Sequence, residues 1–364
     1  MPPPADADTR RKVDELRNRL SDVKARFDAG KWREALTESP RLVDGARALK
    51  YQPLLAETLA LHGFMLSRSN NSNRDAAEEA LVESFWAADA SRHDEVRAQD
   101  ATSLVFLVGI HEGRFKEALR WAKTAESILS RMGGHQLLQS WLLNDLGCVY
   151  GLHGDHESAL RVQEEAIGLK ERVLGKDHPD VGLSETNIAL ALTAAGRYEE
   201  ALRHVNRSVA VVEKGLGVGH PDVGTQLSNR GEILNALHRY REARESFERA
   251  RAIWERELSP DSLNIAYALT GIGIAYLEEG NPDNALVPLE RALKIRQQQE
   301  QDIAQRSETR FALARALWDA NRDRGRARAL AEQARTDYAK SVNKTRPSEI
   351  DAWLRNHQLA TAAR

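Results

Sequence analysis

Gly196-Arg-Tyr-Glu-Glu-Ala-Leu202 is one of five similar seven-residue segments that recur along the chain. The other four are Gly113-Arg-Phe-Lys-Glu-Ala-Leu119, Gly154-Asp-His-Glu-Ser-Ala-Leu160, His238-Arg-Tyr-Arg-Glu-Ala-Arg244 and Gly280-Asn-Pro-Asp-Asn-Ala-Leu286. Their first residues are separated by 41, 42, 42 and 42 positions. A fixed period of this length indicates an array of structural repeats, in which each unit packs only against its neighbours.

Small residues stand at fixed distances from the first residue of each segment. Seven positions before it, in the last four copies, stand Gly147, Ala189, Gly231 and Gly273. Five positions after it stand Ala118, Ala159, Ala201, Ala243 and Ala285. Because protein interiors are close-packed, we expect two antiparallel helices to approach closely at these positions. The first residue itself suits the left-handed turn that ends a helix, although histidine replaces glycine at position 238.

The pattern extends beyond the five clear copies. Gly30-Lys-Trp-Arg-Glu-Ala-Leu36 lies 83 residues before Gly113, which leaves room for a degenerate copy near residues 70–80. A last degenerate copy covers residues 307–340, with Asn321 at the turn. We therefore predict an all-α fold, an α/α superhelical solenoid of about eight helix hairpins. The predicted organisation is a flexible N-terminal segment at 1–12, the solenoid at 13–340, and a C-terminal capping helix and tail at 341–364.

The order of small and large positions matches the consensus of the tetratricopeptide repeat. The 42-residue period resembles the repeats of kinesin light chains, whose helices are longer than those of the 34-residue form. The loops Leu174-Gly-Lys-Asp-His-Pro-Asp-Val181 and Leu216-Gly-Val-Gly-His-Pro-Asp-Val223 are similar to the signature loops of that family. Pro179 and Pro221 suit the first position of a helix, whereas Ser262 and Leu263 replace His-Pro in the next copy.

A second resemblance covers about residues 10–358. The segments 51–57, 85–96, 308–318 and 349–354 are similar to the repeat region that follows the kinase domain in myxobacterial-type serine/threonine protein kinases. This resemblance implies the sensory or partner-docking region of a bacterial signalling protein. The sequence given contains no Gly-rich phosphate loop, no His-Arg-Asp motif and no Asp-Phe-Gly motif of a kinase domain.

Motifs for catalysis or metal binding are incomplete. His111-Glu112 and His156-Glu157 begin like the zinc-binding HExxH motif, but Phe115 and Leu160 stand where its second histidine is required. We therefore expect no catalytic residue, no metal and no cofactor. The formal net charge of -2 gives no reason to expect nucleic acid as a partner. The longest apolar runs are too short to cross a membrane, and the single cysteine fits a reducing compartment, so we predict a cytoplasmic protein.

The expected binding site is the concave face of the solenoid, which the first helix of each hairpin lines. In the tetratricopeptide family, positions 2, 5, 6, 9, 12 and 13 of the repeat point there. The candidate groove residues at such positions are Trp141, Asn144, Asp145, Leu183, Thr186, Asn187, Leu190, Thr225, Asn229, Glu232, Tyr267 and Thr270. Asn187 and Asn229 are one period apart, and in related proteins an asparagine there makes paired hydrogen bonds to an extended peptide backbone. The alternative is that they merely face solvent or cap a neighbouring group.

These residues favour a protein or peptide ligand. Since the candidate positions contain acidic and apolar residues but neither Lys nor Arg, we expect a neutral, apolar or mildly basic segment. The predicted function is a non-catalytic scaffold that binds a protein or peptide, with possible assembly into homo-oligomers. Two alternatives stay open. The chain is a self-assembling structural scaffold, or it is a peptide-responsive regulator of a separate effector domain.

Overall fold

The computed structural model describes residues 4–28, 31–68, 73–299, 303–340 and 346–357. Across these ranges the secondary structure is helical, with no strand. The helices are α1 (Ala7–Asp28), α2 (Trp32–Leu49), α3 (Gln52–Arg68), α4 (Arg74–Ser91), α5 (Asp94–Phe106), α6 (Phe115–Arg131), α7 (Gln136–Leu152), α8 (His156–Leu174), α9 (Pro179–Ala194), α10 (Tyr198–Leu216), α11 (Pro221–Ala236), α12 (Tyr240–Glu257), α13 (Leu263–Glu278), α14 (Pro282–Gln299), α15 (Ile303–Asp319), α16 (Arg324–Tyr338) and α17 (Arg346–Asn356).

Successive helices pair into hairpins, within two compact units that cover residues 1–176 and 177–364. In the first unit, α1 packs on α2, α3 on α4, α5 on α6 and α7 on α8. In the second, α9 packs on α10, α11 on α12, α13 on α14 and α15 on α16, and α17 follows against α16. The described helices α1–α16 thus form the predicted eight hairpins, and the all-α fold is confirmed.

The small residues lie where the two helices of a hairpin meet, as predicted. The five alanines that follow the turn are completely buried, as are the small residues seven positions further on. An ideal Cβ atom at Gly231 would lie 2.7 Å from the ring of Phe247, and one at Gly273 would lie 2.4 Å from Cγ of Leu289. Any side chain at these two glycines would therefore force the helices apart.

The hairpin turns adopt the predicted left-handed conformation. Gly196 has a φ of 74°, and the backbone N–H of Arg197 donates a 2.8 Å hydrogen bond to the carbonyl of Leu192. His238 occupies the same conformation with a φ of 60°, and Asn321 with a φ of 53°. The bond from the residue after the turn to the carbonyl five positions back is the Schellman arrangement that ends a helix.

Histidine side chains cap the N-terminus of α7, α9 and α11, each the first helix of its hairpin. Nδ1 of His135 accepts a hydrogen bond of 3.2 Å from the backbone N–H of Leu138. Nδ1 of His178 and Nδ1 of His220 each accept a bond of the same length from the backbone N–H two residues further along the chain. Pro179 and Pro221 occupy the first helical turn, as predicted. Ser262, which interrupts the His-Pro pattern, caps α13 with its hydroxyl in the same way. The sequence departs from the pattern there, but a helix cap remains.

The arginines of the last hairpin have partners within the second unit. Arg322 pairs with Asp283, Arg326 with Glu290, and the guanidinium of Arg324 lies over the ring of Trp318. Arg328 donates hydrogen bonds of 3.3 and 2.9 Å to the carbonyls of Leu354 and His357, at the end of α17. These contacts fix α17 against α16 and account for four arginines that alternate along this part of the sequence.

The helices at the two ends of the chain can be compared with the predicted organisation. Helix α1 begins at Ala7, so residues 7–12, expected to be flexible, form its first turns. The predicted C-terminal helix is α17, whereas residues 341–345 and 358–364 of that segment lie outside the described residues. Within the described part of the chain, no helix is long and apolar enough to cross a membrane.

Candidate functional site

The exposed face of α9, α11 and α13 carries most of the predicted groove residues of the second unit. On α9, Leu183 is 38% exposed and Leu190 is 44% exposed, with the half-buried Asn187 between them. Residues separated by four and by seven positions share one face of a helix, so these three side chains form a single stripe. The stripe therefore presents two exposed leucines and one amide on the same face of α9.

The stripe continues on the next two first helices. On α11, Thr225 and Glu232 are exposed and Asn229 is half-buried. On α13, Tyr267 is half-buried in the position that matches Thr225. We call the exposed face formed by these residues of α9, α11 and α13 the first-helix surface. Asn187 and Asn229 occupy matching positions on it, as predicted from their spacing of one repeat.

Thr186 and Thr270, also predicted to face the groove, are buried. The hydroxyl of Thr186 lies 2.7 Å from that of Ser208 on α10 and donates to the side-chain oxygen of Gln226 on α11. The hydroxyl of Thr270 lies 2.9 Å from that of Thr309 on α15. Thr186 therefore serves to join helices and does not reach the surface, while Thr270 only borders a cavity described below.

The predicted residues of α7 belong to the first unit. Trp141 is 38% exposed, whereas Asp145 is only 7% exposed. Nδ2 of Asn144 donates a 3.3 Å hydrogen bond to Oδ1 of Asp145. Burial raises the pKa of the Asp145 carboxyl to about 6, although the positive charge of Arg68 acts against this. Asp145 is therefore a buried polar group of the helix, and a ligand in water does not meet it directly.

Two cavities open beside Tyr267. The first, which we call the arginine pocket, has a volume of about 370 Å³ and contains Thr225, Ser228, Asn229, Trp254, Tyr267 and Arg296. The second, which we call the glutamate pocket, has a volume of about 320 Å³ and contains Glu232, Asn235, Tyr267, Ile274, Arg296 and Glu308. Each is large enough for one or two amino-acid side chains, and both border the first-helix surface.

The charges of the two pockets differ. Among the described residues, the lining of the arginine pocket contains no Asp or Glu. Arg296, which is 2% exposed, projects from the last turns of α14, and its Nη2 donates a 3.2 Å hydrogen bond to Oε1 of Gln305 on α15. The glutamate pocket combines the same arginine with the carboxylates of Glu232 and Glu308.

Tyr267 stands between the two pockets. Its hydroxyl donates a hydrogen bond to Oε1 of Glu232 on the neighbouring first helix. Burial, reinforced by the Glu232 carboxylate, raises the pKa of this hydroxyl above its ordinary value. Tyr267 is therefore a neutral donor at all ordinary pH values, and it fixes the position of Glu232 at the edge of the glutamate pocket.

Arg296 and Gln305, which line the arginine pocket, were not among the predicted site residues. Ser228 is 2% exposed, lines the arginine pocket, and its Oγ atom has no hydrogen-bond partner among the described residues. Arg296 comes from the second helix of its hairpin, while the prediction considered first helices only. The signal in the sequence was an arginine at a position that holds Val212 and Trp254 in the two preceding repeats.

The structure also shows the surroundings of the potential metal ligands and of the single cysteine. Across the described residues, no group of three or more His, Cys, Asp or Glu side chains could hold a metal ion. Burial raises the pKa of the Cys148 thiol to about 12, so this side chain is not a thiolate at neutral pH.

Models of the tetratricopeptide repeat match parts of the chain. One matches residues 163–214 and 222–298, and a second matches residues 141–180. The matched residues contain the predicted repeat segments from Gly154 to Gly280, and this part of the chain therefore matches the tetratricopeptide repeat. The first-helix surface, the arginine pocket and the glutamate pocket lie largely inside the matched region.

Solved structures of repeat proteins share the fold. The apo form of the quorum sensor NprR from B. thuringiensis is 16% identical, with a TM-score of 0.62 over 93% of each chain. A Rap protein complexed with competence and sporulation factor is 17% identical, with a TM-score of 0.59 over 95% of this chain and 98% of its own. BtubC (BKLC) from P. vanneervenii is 21% identical, with a TM-score of 0.53 over 70% and 95%. At these identities the likeness is one of fold.

Proposed function

We propose that the chain is a non-catalytic scaffold that binds an extended peptide segment on the first-helix surface of its second unit. The observation that carries this proposal is the combination, on one face, of two repeated asparagines, two exposed leucines and two side-chain-sized cavities. Asn187 and Asn229 supply an amide donor and acceptor each, which suit a peptide backbone whatever its sequence. Side chains of the peptide would pack on the two leucines and enter the two pockets.

Two of the similar folds support a peptide as the ligand class. The Rap protein was solved with competence and sporulation factor, and NprR is described as a quorum sensor. Neither identity is high enough to carry over a ligand, so the argument depends on the surface of this chain. An open surface of half-buried polar and exposed apolar residues fits a peptide better than a small molecule, which prefers an enclosed cavity.

The test is a selection of random linear heptapeptides displayed on phage, followed by binding measurements with a resynthesised, fluorescently labelled heptapeptide. Thr225→Trp would fill the arginine pocket from the exposed rim, and Glu245→Trp on the far side of α12 is the matched control. We expect Thr225→Trp to weaken binding at least tenfold and the control to leave it unchanged. Equal binding to both variants, or a selection without reproducible binders, would contradict the proposal.

We also propose that this binding serves a bacterial serine/threonine kinase signalling protein, as its sensory or docking region. The support is the resemblance of residues 51–57, 85–96, 308–318 and 349–354 to the repeat region of such kinases. The test is precipitation of the tagged chain from its native cells and assay of the precipitate for serine/threonine phosphotransfer. Activity that equals a mock precipitate would remove the kinase from the proposal and leave peptide binding untouched.

A further inference from the structure

A further cavity lies in the first unit, where the third hairpin packs on the fourth. We call it the leucine cavity, because buried leucines such as Leu142 and Leu146 form its floor. Its volume is about 370 Å³, and its exposed rim includes Glu126 and Ser130 on α6 and Glu165 on α8. A ligand side chain with an apolar stem and a polar end would match this floor and this rim.

In the second unit, ion pairs join neighbouring second helices at equivalent positions. Glu213 on α10 pairs with Arg249 on α12, and Glu255 on α12 pairs with Arg291 on α14. Each glutamate stands 17 positions, and each arginine 11 positions, after the first residue of its repeat segment. The arginine of one repeat thus reaches back to a carboxylate of the preceding repeat.

This ion pair is missing at the leucine cavity. Ser130 on α6 stands at the position of the glutamate, and Glu165 on α8 stands at the position of the arginine. The carboxylates of Glu165 and Glu126 form no hydrogen bond or ion pair among the described residues. Where the equivalent junctions carry an arginine paired with a glutamate, this junction has an open cavity with acidic groups on its rim.

We infer that the leucine cavity binds an arginine or lysine side chain of a protein partner. This side chain would take the place of the arginine that the later repeats supply from within the chain. Its aliphatic stem would lie on the leucines, and its positive end would meet the carboxylates of Glu126 and Glu165. The cavity belongs to the first unit, so the inference does not depend on the peptide surface proposed for the second.

Arg161 modifies the charge of this rim. It lies four residues before Glu165 on α8, is exposed, and is the only cation among the described lining residues. The two rim carboxylates leave one negative charge in excess, so the rim still attracts a basic side chain. Arg161 opposes that attraction, and its removal should therefore strengthen binding, whereas removal of either carboxylate should weaken it.

The experiment begins with random linear heptapeptides displayed on phage and selected on the full wild-type chain. Peptides that also bind a closed variant are removed; in this variant, Ser130→Glu and Glu165→Arg restore the missing ion pair. The matched control combines Ser127→Glu with Glu164→Arg, at exposed positions of the same two helices outside the cavity lining. Peptides that use the first-helix surface bind the closed variant as well, so the depletion step removes them.

Each remaining peptide is resynthesised with an acetylated N-terminus, so that its side chains carry the only positive charges. A matched peptide replaces arginine by citrulline and lysine by acetyl-lysine, which keeps the stem and removes the charge. We expect the basic peptide to bind about fivefold or more tightly than its neutral counterpart, and the difference to shrink as salt is raised.

The rim variants locate the charge preference. Glu126→Gln and Glu165→Gln should each weaken the basic peptide about two- to fivefold, the size expected for ion pairs at exposed residues. Arg161→Gln should strengthen it by about the same factor. The neutral peptide should respond little to any of the three changes, and the melting curve of each variant confirms that it is folded.

The outcomes decide the inference separately from the proposed function. Weaker binding in the closed variant and in both Gln variants of the carboxylates, with tighter binding in Arg161→Gln, supports it. A selection that leaves no reproducible binder after depletion overturns it. So does a peptide that binds equally well without its charge, or one that the matched control weakens as much as the closed variant. None of these results changes the test of the first-helix surface by Thr225→Trp.

Discussion

Nη2 of Arg296 on α14 donates a hydrogen bond of 3.2 Å to Oε1 of Gln305 on α15, at the wall shared by two cavities. The bond joins the second helix of one hairpin to the first helix of the next. It holds the guanidinium in a fixed place beside both cavities. The polar end of the proposed groove is thus built by packing between repeats.

The first prediction concerns the closeness of the paired helices. Gly273→Ala places a Cβ atom 2.4 Å from the side chain of Leu289, so it should destabilise the protein by roughly 1–3 kcal/mol through overpacking. The control is Gly168→Ala on α8, where the nearest atom to the new Cβ lies 3.7 Å away on the flexible side chain of Arg172. That change should stabilise by up to about 1 kcal/mol. Urea unfolding measures both, and the same sign for the two variants would contradict the helix register.

The second prediction concerns the histidine caps. Removing the acceptor at the start of α11 by His220→Ala should cost roughly 1 kcal/mol of unfolding free energy. His220→Ser should cost much less, since Ser262 already performs this function at the start of α13. Thermal unfolding of the two variants in parallel provides the check. If alanine and serine are equally destabilising, the side-chain acceptor contributes nothing at this position.

The third prediction concerns the buried carboxyl of Asp145. Its pKa is about 6 in the folded chain and close to 3.8 when unfolded, so the folded state binds more protons between these values. Stability from this group is therefore present at low pH and is lost as the pH rises through 6. The advantage of Asp145→Asn over the wild type should grow by about 2 kcal/mol between pH 4.5 and pH 7.5.

Urea titrations at the two pH values measure that difference. The exposed Asp155, which caps α8 through the N–H of Ser158, supplies a matched control because asparagine caps equally well. The advantage of Asp155→Asn should change little over the same range. A difference for Asp145→Asn that does not depend on pH would mean that its carboxyl is better solvated than the structure indicates.

The fourth prediction concerns the C-terminal helix. Arg328→Met removes the hydrogen bonds to the last carbonyls of α17, so the amides of residues 350–357 should exchange with deuterium about tenfold faster. Arg355→Met, an exposed change on α17 itself, should leave exchange as it is. Exchange measured by mass spectrometry at the peptide level distinguishes the two. Equal exchange in both variants would show that the other contacts of α17, such as the aromatic packing around Trp353 and the Arg335–Asp351 ion pair, are enough to hold this helix.

Sequence periodicity predicted the helix hairpins well because each repeat obeys the same local rules. The turn residues Gly196, His238 and Asn321 and the buried alanines report contacts between neighbours in sequence, which spacing alone reveals. The candidate site was predicted less completely. Thr186 stands one residue from Asn187, yet its hydroxyl is used between helices, and this depends on the partners Ser208 and Gln226.

Arg296 shows the second limit of prediction from sequence. Its position in the repeat is buried in the preceding hairpins, where it holds Val212 and Trp254, so the pattern gives no reason to expect a polar site. A cavity forms there because the side chains around it come from α11, α12, α13, α14 and α15 together. The segment Leu107–His111 at the end of α5 was not predicted either. It is π-helical, and it begins with Leu107 and Val108, which are not turn residues.

The central claim is that a peptide backbone binds across Asn187 and Asn229, and calorimetry with the selected heptapeptide tests it most directly. The variant with Asn187→Ala and Asn229→Ala loses amide hydrogen bonds worth roughly 0.5–1.5 kcal/mol each in net terms. We predict at least tenfold weaker binding than to the wild type, with an unchanged melting temperature, because both side chains are half-buried at the surface. Glu245→Ala, an exposed change on α12, should bind like the wild type. If the double variant binds as tightly as this control, the peptide does not use the first-helix surface.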